Sequence, residues 1–338
     1  QGARGVYIDQ ALKVVYPADV RQDGPLDVFM AHMDVVFSDE TELPLRVEDG
    51  RIYCPGVGDD TACLVCLLMA GKYIARHVDS PRWREIRGED APGLLLVCNA
   101  GEEGLGNLKG VRKICEDYGG RIKSFCTFDS SLSSIVDRAV GSKRFRVKVR
   151  TRGGHSYNDF GNDNAIAGLA SLVGNLYKIQ VPEGGKTTYN VGMISGGTSV
   201  NTIAQEAEML YEFRSDKREN LEYMERQFME VLDRAKAEGM DVSFQVIGVR
   251  PCEGQVDPAQ KQALTDWAHR VVEEMTGQAP KHHAGSTDCN IPLSLGIPSV
   301  CVGSFRGAGA HTREEYVETD SLEEGYKVAF GMIFGRRD

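Results

Sequence analysis

The chain has 338 residues, more than one ordinary domain needs and enough for two. Apolar residues make up 41% and charged residues 26%, which allows a sizeable core and argues against wholesale disorder. A net charge of -10 argues against electrostatic binding of nucleic acid or anionic lipid and suits a cation site lined by carboxylates.

Residues 26–31 read as a buried strand that runs into His32-Met33-Asp34. A spacing of two puts His32 and Asp34 on one face if the strand continues. Asp49-Gly50 is a turn signal between 43–47 and 51–53, so a small hairpin is expected. Gly56-Val57-Gly58-Asp59-Asp60 then precedes an apolar run, and the order reads as loop followed by a helix to about His77. By itself the acid pair is a helix cap with an acidic first turn. Residues 80–92 are polar, contain two prolines and read as loop. The next buried strand, 93–99, leads into Gly101-Glu102-Glu103-Gly104, and a short strand at 124–128 ends at Asp129. The glycines after Glu103 miss the G-x-G-x-x-G spacing of a dinucleotide loop.

From Gly141 the texture changes. Residues 144–150 alternate like a half-exposed strand, Gly153-Gly154-His155-Ser156 is a turn carrying a histidine, and 165–179 is helical by period. Strands at 188–193 and 207–214, a charged amphipathic helix at 219–239 and a strand at 242–249 follow. The order β-α-β-β-α-β resembles a ferredoxin-like module inserted into an α/β domain. Gly184-Gly185-Lys186-Thr187 looks like the tail of a phosphate loop, but Gln180 stands where its first glycine belongs. After Pro251 the α/β texture returns: a helix at 258–276, Gly285-Ser286-Thr287-Asp288 before a short helix, a strand at 297–303, His311 after a glycine-rich loop, and a closing helix at 320–334. The expected organisation is a catalytic domain in two parts, 1–140 and 251–338, around an inserted domain at 141–250.

Nine scattered cysteines are not a small disulfide scaffold and fit a reducing cytosol. Cys63 and Cys66 have redox or zinc spacing but sit inside the apolar helix without a second pair, so they read as core thiols. No apolar run approaches the ~20 residues of a membrane span. Residues 1–10 lack signal-peptide character, and the absence of an initiator methionine makes a longer gene product the expectation.

The acids and histidines at strand ends are His32, Asp34, Asp59, Asp60, Glu102, Glu103, Asp129, His155 and His311. Packed carboxylates repel and need cations to hold them, and mixed imidazole and carboxylate ligands suit Zn(II), with Co(II) or Mn(II) as substitutes. In their order along the chain, these motifs with Arg214 resemble the M20 metallopeptidase family, over nearly the whole length. The resemblance implies a zinc-exopeptidase-like catalytic domain with a central mixed sheet, plus an α+β lid or dimerisation domain. It implies two divalent metal ions per chain, with Asp59 bridging them across a cis bond to Asp60. His32 and Asp129 would complete one site, and Glu103 and His311 the other. Glu102 would be the general base on water, with Asp34 orienting His32 or biasing its basicity. His155 would donate to the oxyanion, reaching the partner subunit's site in dimeric members, so that 141–250 is the expected homodimer contact. Arg214 and Asn201 would bind the substrate carboxylate, and Ser286 and Thr287 would contact substrate. The substrate would be a small peptide, as for peptidase T-like enzymes, or an N-acyl amino acid. Many members have a lysine and glycine after the acid pair, where this chain has Thr61 and Ala62. Thr61 is the one feature that favours a non-catalytic binding protein on the same scaffold. His282 and His283 read as solvated or as neighbours of the ligands rather than ligands.

Overall fold

The computed structural model describes residues 12–15, 23–37, 42–77, 80–88 and 90–335; the polar opening stretch 1–10 lies outside them. The chain forms two compact units, Gln1–Ala139 with Glu253–Asp338, and Val140–Cys252.

The first unit starts with β1 (Leu12–Val15) and β2 (Leu26–His32). A hairpin follows, β3 (Arg46–Glu48) and β4 (Arg51–Tyr53), turned at Asp49 and Gly50 with positive φ at both. One irregular turn over Val57–Ala62 leads into α1 (Cys63–His77). The stretch expected as loop contains a helix, α2 (Pro81–Arg87). Proline is harmless in a first helical turn, where its missing N–H has no intrahelical acceptor, and the Ser80 hydroxyl accepts the Trp83 N–H at 3.3 Å. Burial decides the rest. Trp83 is 2% exposed, and Arg87 donates to the Ile333 carbonyl (2.9 Å), the Pro92 carbonyl (3.0 Å) and Asp27 Oδ2 (3.3 Å). β5 (Gly93–Asn99), α3 (Lys109–Tyr118), β6 (Ile122–Phe128) and β7 (Ser134–Ala139) complete the first half.

The second unit comprises β8 (Gly141–Arg150), β9 (Gly154–His155), α4 (Ala165–Leu176), β10 (Thr187–Gly196), β11 (Thr202–Ile203), β12 (Glu206–Ser215), α5 (Arg218–Ala237) and β13 (Asp241–Arg250). Its antiparallel sheet has the order β10-β12-β8-β13, a split β-α-β arrangement. Inward residues Phe145, Val147, Tyr211 and Phe213 pack with Leu169 of α4 and Phe228 of α5. Their strand neighbours Arg144, Lys148 and Arg150 pair with Glu212 and Glu206 of β12 on the other face.

The chain then returns to the first unit with α6 (Pro258–Thr276), β14 (Lys281–Gly285), α7 (Asn290–Ser294), β15 (Ser299–Val302), β16 (Gly307–Ala308), β17 (Tyr316–Glu318) and α8 (Ser321–Phe334). Seven strands form a mixed sheet, β1-β5-β2-β6-β15-β7-β14. β5, β2, β6 and β15 run parallel, β1 opposes β5, and β7 and β14, parallel to each other, oppose β15. Both faces are covered. Phe29 and Ala31 face Leu67 of α1, Val271 of α6 and Met332 of α8, while Val28 and Met30 face Val111 of α3 and Leu293 of α7. Double coverage is why these strands read as unbroken apolar runs. β7, next to last in the sheet, and β14, at its edge, carry Asp137, His282 and His283 and escape that signal. Among the described residues no helix is long and apolar enough to cross a membrane, and the nine cysteines are free thiols.

Candidate metal centre

β5, β2 and β6 lie side by side and parallel, and their C-terminal ends lead to Glu102 and Glu103, to His32 and to Asp129. The carboxyl ends of parallel strands are open to ligands because the chain must turn there and leaves side chains converging on one edge. Asp59 comes from the turn before α1, and His311 from the loop before β17.

The distances bring the expected cluster together. His32 Nε2 lies 3.1 Å from Asp59 Oδ1 and 4.0 Å from Asp129 Oδ1. His311 Nε2 lies 3.0 Å from Asp59 Oδ2 and 3.3 Å from Glu103 Oε1. The two oxygens of Asp59 therefore face different histidines. Two triads with ligand-type spacing result, His32–Asp59–Asp129 and Asp59–Glu103–His311, with Asp59 common to both; Glu102 groups with His32 and Glu103. The Asp59–Asp60 peptide bond is cis.

Electrostatics supports a cation here. Burial pulls the His32 imidazole down, but the Asp59 carboxylate 3.1 Å away and the fields of Asp60, Asp129 and Glu102 win and push it up to about 12. Burial, with Asp59 and Glu102 adding repulsion, pushes Glu103 up to about 8. Burial also raises Asp129 to about 8, against the His32 cation and with Glu102 and Asp59. Asp59 moves the other way: burial opposes the shift, but His32 and His311 hold it below the usual carboxylate range. Burial and crowding thus favour the protonated forms of Glu103 and Asp129, while the two histidines keep Asp59 ionised. His32 Nε2 and Glu103 Oε1 are buried with no hydrogen-bond partner, and such orphaned atoms are expected where an ion takes the lone pairs. Two imidazoles with three carboxylates are a donor set that fits Zn(II), Mn(II) or Co(II).

Three carboxylates have supporting roles that differ from expectation or were not expected. Asp34 does not orient His32 with its side chain. The Asp34 backbone carbonyl takes the His32 Nδ1 proton at 3.0 Å, and its carboxylate stands 3.7 Å from that nitrogen. Asp34 Oδ1 instead accepts from the Gly101 (2.9 Å) and Glu102 (3.3 Å) N–H groups, and Oδ2 from the Glu103 N–H (2.9 Å). Three aligned amides outcompete one imidazole for the same acceptor. Asp60, expected as a cap of α1, is 1% exposed, and its Oδ2 accepts the His32 N–H at 2.8 Å. Its burial raises it well above the carboxylate range, with His32 opposing. Glu315 was not singled out by sequence. It is 2% exposed and accepts from the backbone N–H groups of Gly56, Gly58 and Asp59. The acid four residues after His311 is the only signal that could have found it, and acids are common in this chain.

The remaining expected residues are placed as follows. His155 lies in the second unit, where β9 pairs with β11 and sets His155 opposite Thr202, next to Asn201. The Tyr157 and Asn158 N–H groups donate to His155 Nδ1 at 3.2 and 3.4 Å, which leaves the ring proton on Nε2. Asn201 Oδ1 accepts the Ser199 hydroxyl at 2.6 Å. Arg214 is at the other end of β12 from Asn201, and its Nε and Nη2 already donate to Glu212 at 2.9 and 3.2 Å. Glu206 to Arg214 is eight residues of extended chain, about 26 Å. Asn201, which precedes β12, and Arg214, near the end of that strand, therefore stand well apart within one copy of the chain. Thr287 is buried and its hydroxyl accepts the Cys289 N–H at 3.2 Å; Ser286 precedes it, half-buried. His282 is outside the cluster, bonded to Asp137 Oδ2 and to His269 Nδ1, both at 2.8 Å. Thr61 is exposed, and its N–H donates to the Gly56 carbonyl.

Comparison with known proteins agrees with the geometry. Among curated proteins, a succinyl-diaminopimelate desuccinylase of Nitrosomonas eutropha is 24% identical over 89% of this chain and 80% of its own length. An acetylornithine deacetylase of Myxococcus xanthus is 24% identical over 83% of this chain and 71% of its own. Among solved structures, a tripeptidase from Staphylococcus aureus superposes with a TM-score of 0.72 at 21% identity, covering 95% of this chain and 83% of that one. The sequence model of peptidase family M20/M25/M40 matches residues 28–334. With ligand-type residues converging at the ends of its parallel strands, this chain belongs to peptidase family M20/M25/M40 and is a metal-dependent amide hydrolase.

Proposed function

We propose that the chain is a di-metal exopeptidase that cleaves an amide bond in di- or tripeptides. The observation that carries this reading is Asp59, whose Oδ1 and Oδ2 face His32 and His311 at 3.1 and 3.0 Å. His32, Asp129 and Asp59 would hold one divalent ion, and Asp59, Glu103 and His311 a second, with Zn2+ the first choice and Co2+ or Mn2+ the substitutes. When bound, such a pair acidifies water and polarises the scissile carbonyl. Glu102, on the loop that Asp34 pins, takes the proton of the attacking water and returns it to the leaving amine. His155 donates from Nε2 to the developing oxyanion. Arg214 binds the substrate carboxylate through guanidinium hydrogens beyond those held by Glu212, and Asn201, Ser286 and Thr287 supply further substrate contacts. The free thiols favour a reducing, cytoplasmic setting.

Deacylation of an N-acyl amino acid is the competing reading, because the curated relatives named above are deacylases while the superposed structure is of a tripeptidase. The glycine-rich stretch around Gly196, Gly197 and Asn201 and the segment from Gly309 to Tyr316 favour the peptidase. Zinc-loaded protein is incubated with di- and tripeptides and with N-acetyl and N-succinyl amino acids, and amine release is followed. Peptide cleavage is the expected result. Cleavage of acyl amino acids alone would replace the peptidase reading by the deacylase.

The separation of Asn201 from Arg214 supports a second point, that a complete site draws on two copies of the chain. The segment 141–250 would then form the homodimer and offer His155 and Asn201 to the neighbouring copy.

A further inference from the structure

The geometry points to Glu315 as the positioning residue of this site: its buried carboxylate holds the turn that aims Asp59 between His32 and His311. The inference rests on the two-metal reading above and assigns a role to a residue which that reading does not use.

Glu315 Oε2 accepts the Gly56 N–H at 2.6 Å, and Oε1 accepts the Gly58 and Asp59 N–H groups at 2.9 and 2.7 Å. These amides belong to a turn that no ordinary helix stabilises, since Asp59 and Asp60 have non-helical φ and ψ. Three N–H groups converging on one carboxylate form a concave nest that fixes the backbone in direction as well as place. The Asp59 side chain starts one bond from the third of these amides. The packing leaves the turn little room to shift. A Cβ at Gly58 would lie 2.7 Å from the Phe305 ring and 3.0 Å from Glu315 Oε1, and one at Gly56 would lie 2.3 Å from Val35 Cγ1.

The other end of the device is the His311 loop. Glu315 is four residues beyond His311, and its carbonyl accepts the Cys54 N–H at 3.1 Å. β17, which begins at the next residue, pairs with β4, which ends just before Cys54. One residue therefore clamps, by side chain and by main chain, the two loops that bear Asp59 and His311, the pair that stand 3.0 Å apart. A bridging ligand must satisfy two ions at once, so an error in its aim weakens both sites.

The test compares Glu315→Gln and Glu315→Ala with Thr319→Val. Thr319 Oγ1 donates to the Gly50 carbonyl at 2.9 Å, a bond between the same two strands' flanks that does not touch the Asp59 turn. Zn(II) affinity and stoichiometry are measured by competition with a chromophoric chelator, Co(II) absorption reports ligand geometry, and circular dichroism with thermal unfolding of the metal-free chain reports the fold. Removing a partner that orients metal ligands costs about 10–100-fold in metal affinity. The expected result is a weakening of about that size in Glu315→Ala, a smaller one in Glu315→Gln, whose amide oxygen still accepts, an altered Co(II) spectrum in both, and unchanged affinity in Thr319→Val. Wild-type affinity and spectrum in Glu315→Gln would overturn the positioning role, as would equal metal losses in all three variants. A wild-type chain that takes up no metal would overturn the two-metal reading and this inference together. Should Glu315→Ala not fold, Glu315→Gln and Thr319→Val decide the matter.

Discussion

The division of labour between adjacent acids is the sharpest consequence of the site, and Glu102→Gln tests it. Glutamine is nearly isosteric, and Glu102 is 5% exposed on a loop held by Asp34, so the substitution opens no cavity and should leave the fold intact. Both triads that include Asp59 lack Glu102, so the variant should still bind two divalent ions. What it loses is proton transfer, which contributes about 10²–10⁴-fold, or about 3–5 kcal/mol of barrier. Glu103→Gln is the partner experiment. Glu103 Oε1 is buried beside His311, so its loss should lower metal content as well as turnover. The assay pairs kcat on a tripeptide with zinc counted by mass spectrometry. If Glu102→Gln keeps kcat within about threefold of wild type, or releases an ion, the assignment of base and ligand is wrong.

Metal-free protein should lose stability as pH rises from about 5 to 9. Glu103 and Asp129, each near 8 through burial and neighbouring charge, have folded values above their unfolded ones. Their contribution is complete below the unfolded carboxylate range and is lost as pH passes 8; zinc affinity should climb over the same window, and flat melting and binding profiles would remove these groups from the cluster. His155→Ala should cut kcat by about 10²–10³-fold with both ions retained. Mixing it with Glu102→Gln should restore activity if sites are shared between copies, and no recovery would confine each site to one chain. Arg87→Ala should destabilise the fold by about 3–5 kcal/mol in urea, because Asp27 stays buried without its guanidinium. The double change Asp27→Leu with Arg87→Met should recover most of that loss, and a loss below about 1 kcal/mol in Arg87→Ala would mean the pair is already hydrated.

Much of this was legible in residue order. An apolar run followed by an acid is a local pattern, so the strands at 93–99 and 124–128 and the acids after them could be read directly, as could Pro258–Thr276 by its period. Polar elements were less visible. α2 escaped because two prolines and charged residues mark a loop, although the helix is held by Trp83 and Arg87 against distant partners. β14 escaped because a sheet-edge strand need not be apolar, and β7 because Asp137 and Arg138 interrupt its apolar run.

Sequence alone therefore determined which side chains are available as ligands and where along the chain they occur. The tertiary structure decided which acid does what. Asp34, Asp59, Asp60, Glu103 and Glu315 offer the same functional group, and each role follows from what faces it: amides for Asp34 and Glu315, imidazoles for Asp59, the His32 backbone for Asp60, an open histidine edge for Glu103. Glu315 and Asp59 are 256 residues apart in sequence and 2.7 Å apart in space. No local pattern encodes that contact, because a carboxylate's role depends on the donors folding brings within hydrogen-bond reach.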